Sequence, residues 1–364
     1  MKRAVESRLD AWLASSTRHP LVLRGARQVG KTWLVRDLAA RAGRQLVEIN
    51  FERDPALKRL FSANDPRQIL GELSLALSVD INPNRSLLFL DEIQAAGSVL
   101  AQLRWFYEEL PQLPVVAAGS LLEFSLADHA FSMPVGRIAF QHIEPMGFSE
   151  YLLAHGQDRL LSAIRAWRPG QKLSAAAHEQ AERWFGRYAM VGGMPAVVAA
   201  DVAGREPREV RELQKELLAA YRADFAKYAG RMDRDILNSV LNTVAASLGR
   251  KFVCAHVGEG VKQHQAKRAL DLLTMARLVH QVRHSAANGL PLGAEVKGSF
   301  RKAAAVDVGI IHALLGTPAA QAFPSWESLA PSLRGQLTDQ LAAQQLRLTD
   351  PGAGDGPELY YWQR

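Results

Sequence analysis

The chain has 364 residues, 48% of them hydrophobic and 22% charged, and a formal net charge of +7. This composition excludes a disordered or collagen-like protein, and the length exceeds what one core fills, so two or three domains are expected. No apolar run approaches the roughly 20 residues of a membrane helix, the basic start Met1-Lys2-Arg3 leads into no signal core, and the single Cys254 excludes an internal disulfide framework, so a cytoplasmic protein with no membrane partner is expected.

The first buried strand is read at Leu21-Val22-Leu23, and Trp33 to Ala39 is helix-like. Between them stands Gly25-Ala26-Arg27-Gln28-Val29-Gly30-Lys31-Thr32, a complete G-x-x-x-x-G-K-T loop. Strand, glycine loop and helix form the context that phosphate binding requires. Glycines let successive N–H groups point at phosphate oxygens, and the helix adds the positive end of its dipole. Gly25 through Thr32 are therefore the candidate ATP-binding residues. Lys31 is placed to reach the β- and γ-phosphates and to assist catalysis, while the Thr32 hydroxyl completes the shell of a Mg²⁺ ion.

Gln45 to Phe51 reads as the next strand, and Ser86-Leu87-Leu88-Phe89-Leu90 as a strand buried on both faces. The latter ends in Asp91-Glu92, at the sheet edge where open α/β folds bind ligands. Asp91 is the candidate Mg²⁺ ligand, and Glu92 the candidate catalytic residue that orients the attacking water. Ser98 to Leu110 reads as a helix, and Pro114 to Gly119 as a strand with Ser120 at its end. Ser120 either senses the γ-phosphate or caps a helix over Leu121-Leu122-Glu123-Phe124; both readings stand.

GARQVGKT, LLFLDEIQ and VVAAGSLLEF together resemble a prokaryotic branch of the AAA+ ATPases, the group joined to a DUF4143 domain. The likeness continues through Gly136-Arg137, Pro145-Met146-Gly147-Phe148-Ser149-Glu150-Tyr151, Tyr188 to Pro195 and Tyr221 to Phe225. It implies an AAA+-like α/β P-loop NTPase with a parallel sheet over residues 1–160, and a helical and winged-helix-like region over residues 174–320. Residues 328–364 would then begin a restriction-nuclease-like domain that is cut short. Arg137 either stabilises transition-state charge, in the same chain or across a homo-oligomer, or closes a structural ion pair.

Farther along, Glu206–Tyr228 and Asp233–Leu248 carry apolar residues at helical spacing, and Gly192-Gly193-Met194-Pro195 is read as a joint. Residues 250–302 hold 10 basic and 3 acidic side chains, which equals the whole excess of charge. They read as helix, turn, helix and hairpin. Lys262, Gln263, His264, Lys267 and Arg268 lie on the outer or leading part of a helix over Val261–Met275, in the order of a winged helix that contacts DNA. Protein contact is the other use of such an element. Cys254 is expected in the core, and His264, His280 and His284 at the surface. Tyr360-Tyr361-Trp362 is expected to leave an unsatisfied strand edge, and Asp339 alone is too little for a nuclease metal site. The expected function is a Mg²⁺-dependent ATPase coupled to its C-terminal region. A nucleotide-dependent switch with little turnover is the alternative, and a small-molecule kinase a weaker third.

Overall fold

The buried apolar runs become strands because helices cover them on both faces. The structure, a computed structural model, describes residues 1–120, 122, 124, 134, 136–228, 232–317, 329–349 and 358–363. Leu121, Glu123, Val135, the Pro-rich loop over 318–328 and Arg364 lie outside the described residues. The chain divides into two compact units, one spanning Ala4–Ile143 and the other Met1–Arg3 with Glu144–Asp350 and Pro357–Arg364.

The first unit runs α1 (Glu6–Ala14), β1 (Leu21–Arg24), α2 (Lys31–Arg41), β2 (Gln45–Asn50), α3 (Pro66–Leu77), β3 (Ser86–Asp91), α4 (Gly97–Glu109), β4 (Val115–Ala118) and β5 (Ala139–His142). The strands form one five-stranded sheet in the order β2-β3-β4-β1-β5, and every pair is parallel. Every residue of β1, β3 and β4 is buried, as the apolar runs Leu21–Leu23, Leu87–Leu90 and Val115–Ala118 require, and Arg24, Ser86 and Asp91 at the strand ends are buried with them. The edge strands differ. β2 alternates, and β5 reads Ala-Phe-Gln-His, too polar for an apolar run to announce it. It still pairs with β1 from Leu21↔Ala139 to Arg24↔His142. Leu88, Leu90 and Val115 of the sheet pack in one core with Ile69 and Leu73 of α3 and Leu100, Leu103 and Phe106 of α4.

The second unit contains α5 (Phe148–Ala154), α6 (Asp158–Ala166), α7 (Ala175–Val191), α8 (Pro195–Val202), α9 (Pro207–Asp224), α10 (Arg234–Ala246), α11 (Gln263–Met275), β6 (Val279–Ser285), β7 (Val296–Ala305), α12 (Val308–Leu314), α13 (Pro331–Thr349) and β8 (Tyr360–Tyr361). Its sheet has the order β7-β6-β8, with β6 antiparallel to β7 and parallel to β8. Within residues 250–302 there is one α-helix, α11, and the segment before it is a 3-10 turn at Cys254–His256. The helix preceding α11 lies upstream, as α10.

Several expectations need correction. Cys254 is half-buried, because Phe252 and Val257 on either side of the 3-10 turn take the buried positions. His280 is buried on the inward phase of β6, with its Nε2 3.8 Å from Glu144, whereas His264 is exposed. Tyr360-Tyr361 pairs with Arg283 and His284 of β6 and stands as the outer strand of the order β7-β6-β8, so an edge remains there as expected.

The Gly192–Pro195 joint is a close crossing. A Cβ on Gly193 would lie 1.9 Å from the Met146 carbonyl oxygen, so only glycine fits. The Gly193 N–H donates to Asp307 at 2.6 Å, and the Gly309 N–H donates to the same carboxylate at 2.8 Å. α13 is stitched to this point by glutamines. Gln344 donates to Asp307 at 2.8 Å and accepts from the Val308 N–H, while Gln340 exchanges two hydrogen bonds with the Ala305 backbone. Arg347 of the same helix is buried and donates to Glu144.

Candidate nucleotide site

In a parallel sheet all C-terminal strand ends share one edge, so the strand order decides which loops meet. Here β4 lies between β1 and β3. The phosphate loop that follows β1, the acidic pair that ends β3 and Ser120 after β4 are therefore neighbours.

The loop takes its shape from its glycines and from one strained residue. Gly25 adopts φ +145°, and a Cβ there would lie 2.2 Å from the Ile143 carbonyl oxygen at the end of β5. Gly30 is left-handed, as is Gln28 at φ 65°, a conformation uncommon outside glycine. Val29 is fully buried and anchors the loop from below. Gly30 caps α2 without a side-chain hydrogen bond, and no acidic residue occupies the first turn. The first N–H groups of a helix have no acceptor within it, which suits an anion at this end of α2. Lys31 is buried, and its Nζ donates to the Gly25 and Ala26 carbonyls at 2.9 Å each.

The Thr32 hydroxyl donates to Asp91 Oδ2 at 3.2 Å, so the two expected metal ligands are adjacent. One hydroxyl and one carboxylate suit Mg²⁺, which takes oxygen ligands in a small octahedral shell and keeps several waters. Burial, and then the neighbouring Glu92 charge, push the Asp91 carboxyl above the usual carboxylate range. Glu92 is left-handed at φ 51°. Its Oε2 accepts from Gln94 Nε2 at 2.6 Å and lies 3.5 Å from the Ser120 hydroxyl, which brings the expected catalytic glutamate and the expected sensor together.

Two further residues join the site. Asn50 ends β2 in register with Asp91 and donates to Asp91 Oδ2 at 3.3 Å; strand register is the signal that finds it. Gln94 lies against Gly119, where a Cβ would approach its Oε1 to 2.3 Å. Nothing in the spacing of the sequence marks Gln94.

Arg137 is not among these neighbours. It precedes β5, whereas the phosphate loop meets the other end of β5, through Ile143. Four strand residues separate the two ends by about 13 Å. Its guanidinium donates to Glu108 of α4 at 3.0 Å and shares that carboxylate oxygen with Arg104. In the second unit, Lys262, Gln263, His264, Lys267 and Arg268 are exposed on α11, while Ala266, Ala269, Leu270 and Leu273 are buried. Among the described residues no group of three or more His, Cys, Asp or Glu could hold a metal, and no helix is long and apolar enough to cross a membrane.

Residues 17–152 match the family model AAA_14, an AAA domain. Residues 182–321 match DUF8612, a domain of unknown function, which stands where a DUF4143 region was expected. No curated protein matches the sequence. Among solved structures the chain is similar to the Walker-type ATPase paby2304 of Pyrococcus abyssi, at 17% identity and TM-score 0.53, over 86% of this chain and 95% of that one. At that identity the likeness is one of fold. The Aeropyrum pernix ORC1 protein in complex with DNA matches at 16% identity and TM-score 0.29, over 88% of this chain and 94% of that one. Drosophila ORC bound to DNA matches at 14% and 0.30, over 85% and 84%. Scores this low establish no common architecture. The first unit thus carries the match to the AAA domain model, with the fold of a Walker-type ATPase, and the second carries the match to DUF8612.

Proposed function

We propose that the protein is a Mg²⁺-dependent ATPase that hydrolyses ATP to ADP and phosphate and couples this to its second unit. The observation that carries the reading is the convergence of three strand ends. The phosphate loop at the start of α2, the Thr32–Asp91 pair and Glu92 beside Ser120 all meet at one sheet edge. Gly25 to Thr32 would bind the triphosphate through backbone N–H groups, and Lys31 would exchange its two carbonyl partners for phosphate oxygens. Thr32 and Asp91 would hold Mg²⁺, which supplies charge neutralisation at the β- and γ-phosphates. Glu92 would orient the attacking water and accept its proton, with the Ser120 hydroxyl positioning the same water. Glu92→Gln should abolish turnover and keep nucleotide binding, whereas Lys31→Ala should lose binding; turnover unchanged in Glu92→Gln would overturn the assignment.

A second reading is supported by the Gln94 bond. A Glu92 carboxylate already engaged at 2.6 Å suits a nucleotide-dependent switch with little turnover. Steady-state hydrolysis near zero in wild type, with nucleotide affinity intact, would select it. We further propose duplex DNA contact through residues 250–302, by way of the exposed cations of α11 and the β6–β7 hairpin. Binding that does not weaken with salt would reject this. Arg137 would act on the nucleotide of a neighbouring copy if the protein assembles with ATP. In that case Arg137→Ala lowers turnover far more than affinity, and sizing in ATP detects the assembly.

A further inference from the structure

Between the C-terminal end of α10 and β8 the second unit carries a cleft of about 750 Å³. Arg250, Lys251 and Lys302 line it together with Tyr361 and Trp362, and among the described residues no acidic one does. The two lysines are held side by side, because residues 251 and 302 form an antiparallel bridge that the Phe252 N–H to Arg301 carbonyl bond extends. Like charges placed opposite each other across strands repel. Lys302 pairs with Asp339 at 2.7 Å, and Lys251 sits 4.7 Å from the Phe300 ring centroid. Such a pair gains from an anionic ligand. The aromatic side is equally specific. Pairing of β8 with His284 fixes Tyr361, whose ring faces the Lys302 ammonium at 5.2 Å, and the adjacent Trp362 is 56% exposed.

We propose that this cleft binds single-stranded nucleic acid, with backbone phosphates on Arg250, Lys251 and Lys302 and a base stacked on Trp362. Cations beside exposed aromatic rings are the chemistry that holds unpaired strands, since every base offers a π-face. A duplex hides those faces and leaves Trp362 nothing to stack on. The proposal rests on the nucleic-acid reading of residues 250–302. It shares Lys302 of β7 with that reading, but Arg250, Lys251 and Trp362 lie off both α11 and the β6–β7 hairpin, so the two can fail separately.

The test is binding of a labelled dT oligomer and of a duplex of equal length to the full chain, across a salt series. Trp362→Ala should weaken the single strand roughly ten-fold or more, Trp362→Phe should restore most of the loss, and duplex binding should not change. Replacing both Arg250 and Lys251 with alanine should lower the slope of log affinity against log salt by about 1.4, while Lys267→Ala with Arg268→Ala should weaken the duplex alone. Absence of single-strand binding with duplex binding intact overturns this proposal only, and absence of both overturns the nucleic-acid reading as well. Single-strand affinity unchanged in Trp362→Ala, or displacement of the oligomer by polyglutamate or pyrophosphate as effective as by unlabelled dT, also overturns it.

Discussion

Glu92 shows how a single side chain sets the resting state of a site. Its left-handed backbone and its bond to Gln94 hold the carboxylate against β4. Gln94→Ala should therefore raise basal ATP hydrolysis several-fold with little change in KM. Gly119→Ala should do the same, because its Cβ would lie 2.3 Å from Gln94 Oε1 and displace that side chain; a malachite-green phosphate assay of both variants checks this. Asp91 is raised by burial and by Glu92, so protonation should weaken Mg²⁺-dependent nucleotide binding at a higher pH than for an ordinary carboxylate. Glu92→Gln removes the second-largest cause and should move that loss to lower pH, as read with a non-hydrolysable ATP analogue. Asp91, Glu92 and Thr32 were legible in the sequence because their chemistry is tied to a fixed loop and strand order. Gln94 was not, since its role comes from Gly119, a neighbour only in the folded sheet.

At the scale of elements, apolar periodicity finds strands and helices whose buried faces are apolar, and it misses the others. β1, β3 and β4 were legible for that reason, and the edge strand β5 was not. α13 buries Gln340, Gln344 and Arg347 beside Leu337 and Leu341, and its polar contacts hold α12 and β7. Gln340→Leu leaves the buried Ala305 N–H and carbonyl without these partners, at about 1–3 kcal/mol for each group, which urea unfolding would measure. α12 carries two opposed titrations. Burial pushes Asp307 up to about 6 despite four donors, while burial and the Arg211 charge push His312 down to about 4. The ordinary values are about 3.9 and 6.5. As pH falls from about 6 to about 4, folded Asp307 takes up a proton that the unfolded chain does not, so stability rises. Over nearly the same window the unfolded chain protonates its histidine first, so the His312 contribution is lost. The two contributions should largely offset each other there in wild type. Asp307→Asn should expose an acid-directed loss approaching 1.4 kcal/mol per pH unit, followed by chemical denaturation at several pH values.

For the whole molecule, the division of charge anticipated the division of labour proposed for it. The first 150 residues are neutral and carry the nucleotide motifs, while residues 250–302 carry the excess of cations. Composition could not say which cations would stand together: Lys251 and Lys302 lie 51 positions apart and meet through one bridge. Two compact units also give a thermal signature. Mg²⁺-ATP at a hundred times its Kd should stabilise the first unit by about 2.7 kcal/mol. Calorimetry should then show one transition moving while a transition of the second unit stays in place.

The bonds from Lys31 to the Gly25 and Ala26 carbonyls have a consequence for ligand choice. An incoming anion competes with two internal acceptors for the same ammonium. A monovalent ion replaces them at no gain, whereas a polyphosphate recruits the α2 N–H groups in the same event. The loop therefore imposes a valence threshold: chloride should leave it unchanged at millimolar concentration, and tripolyphosphate should not.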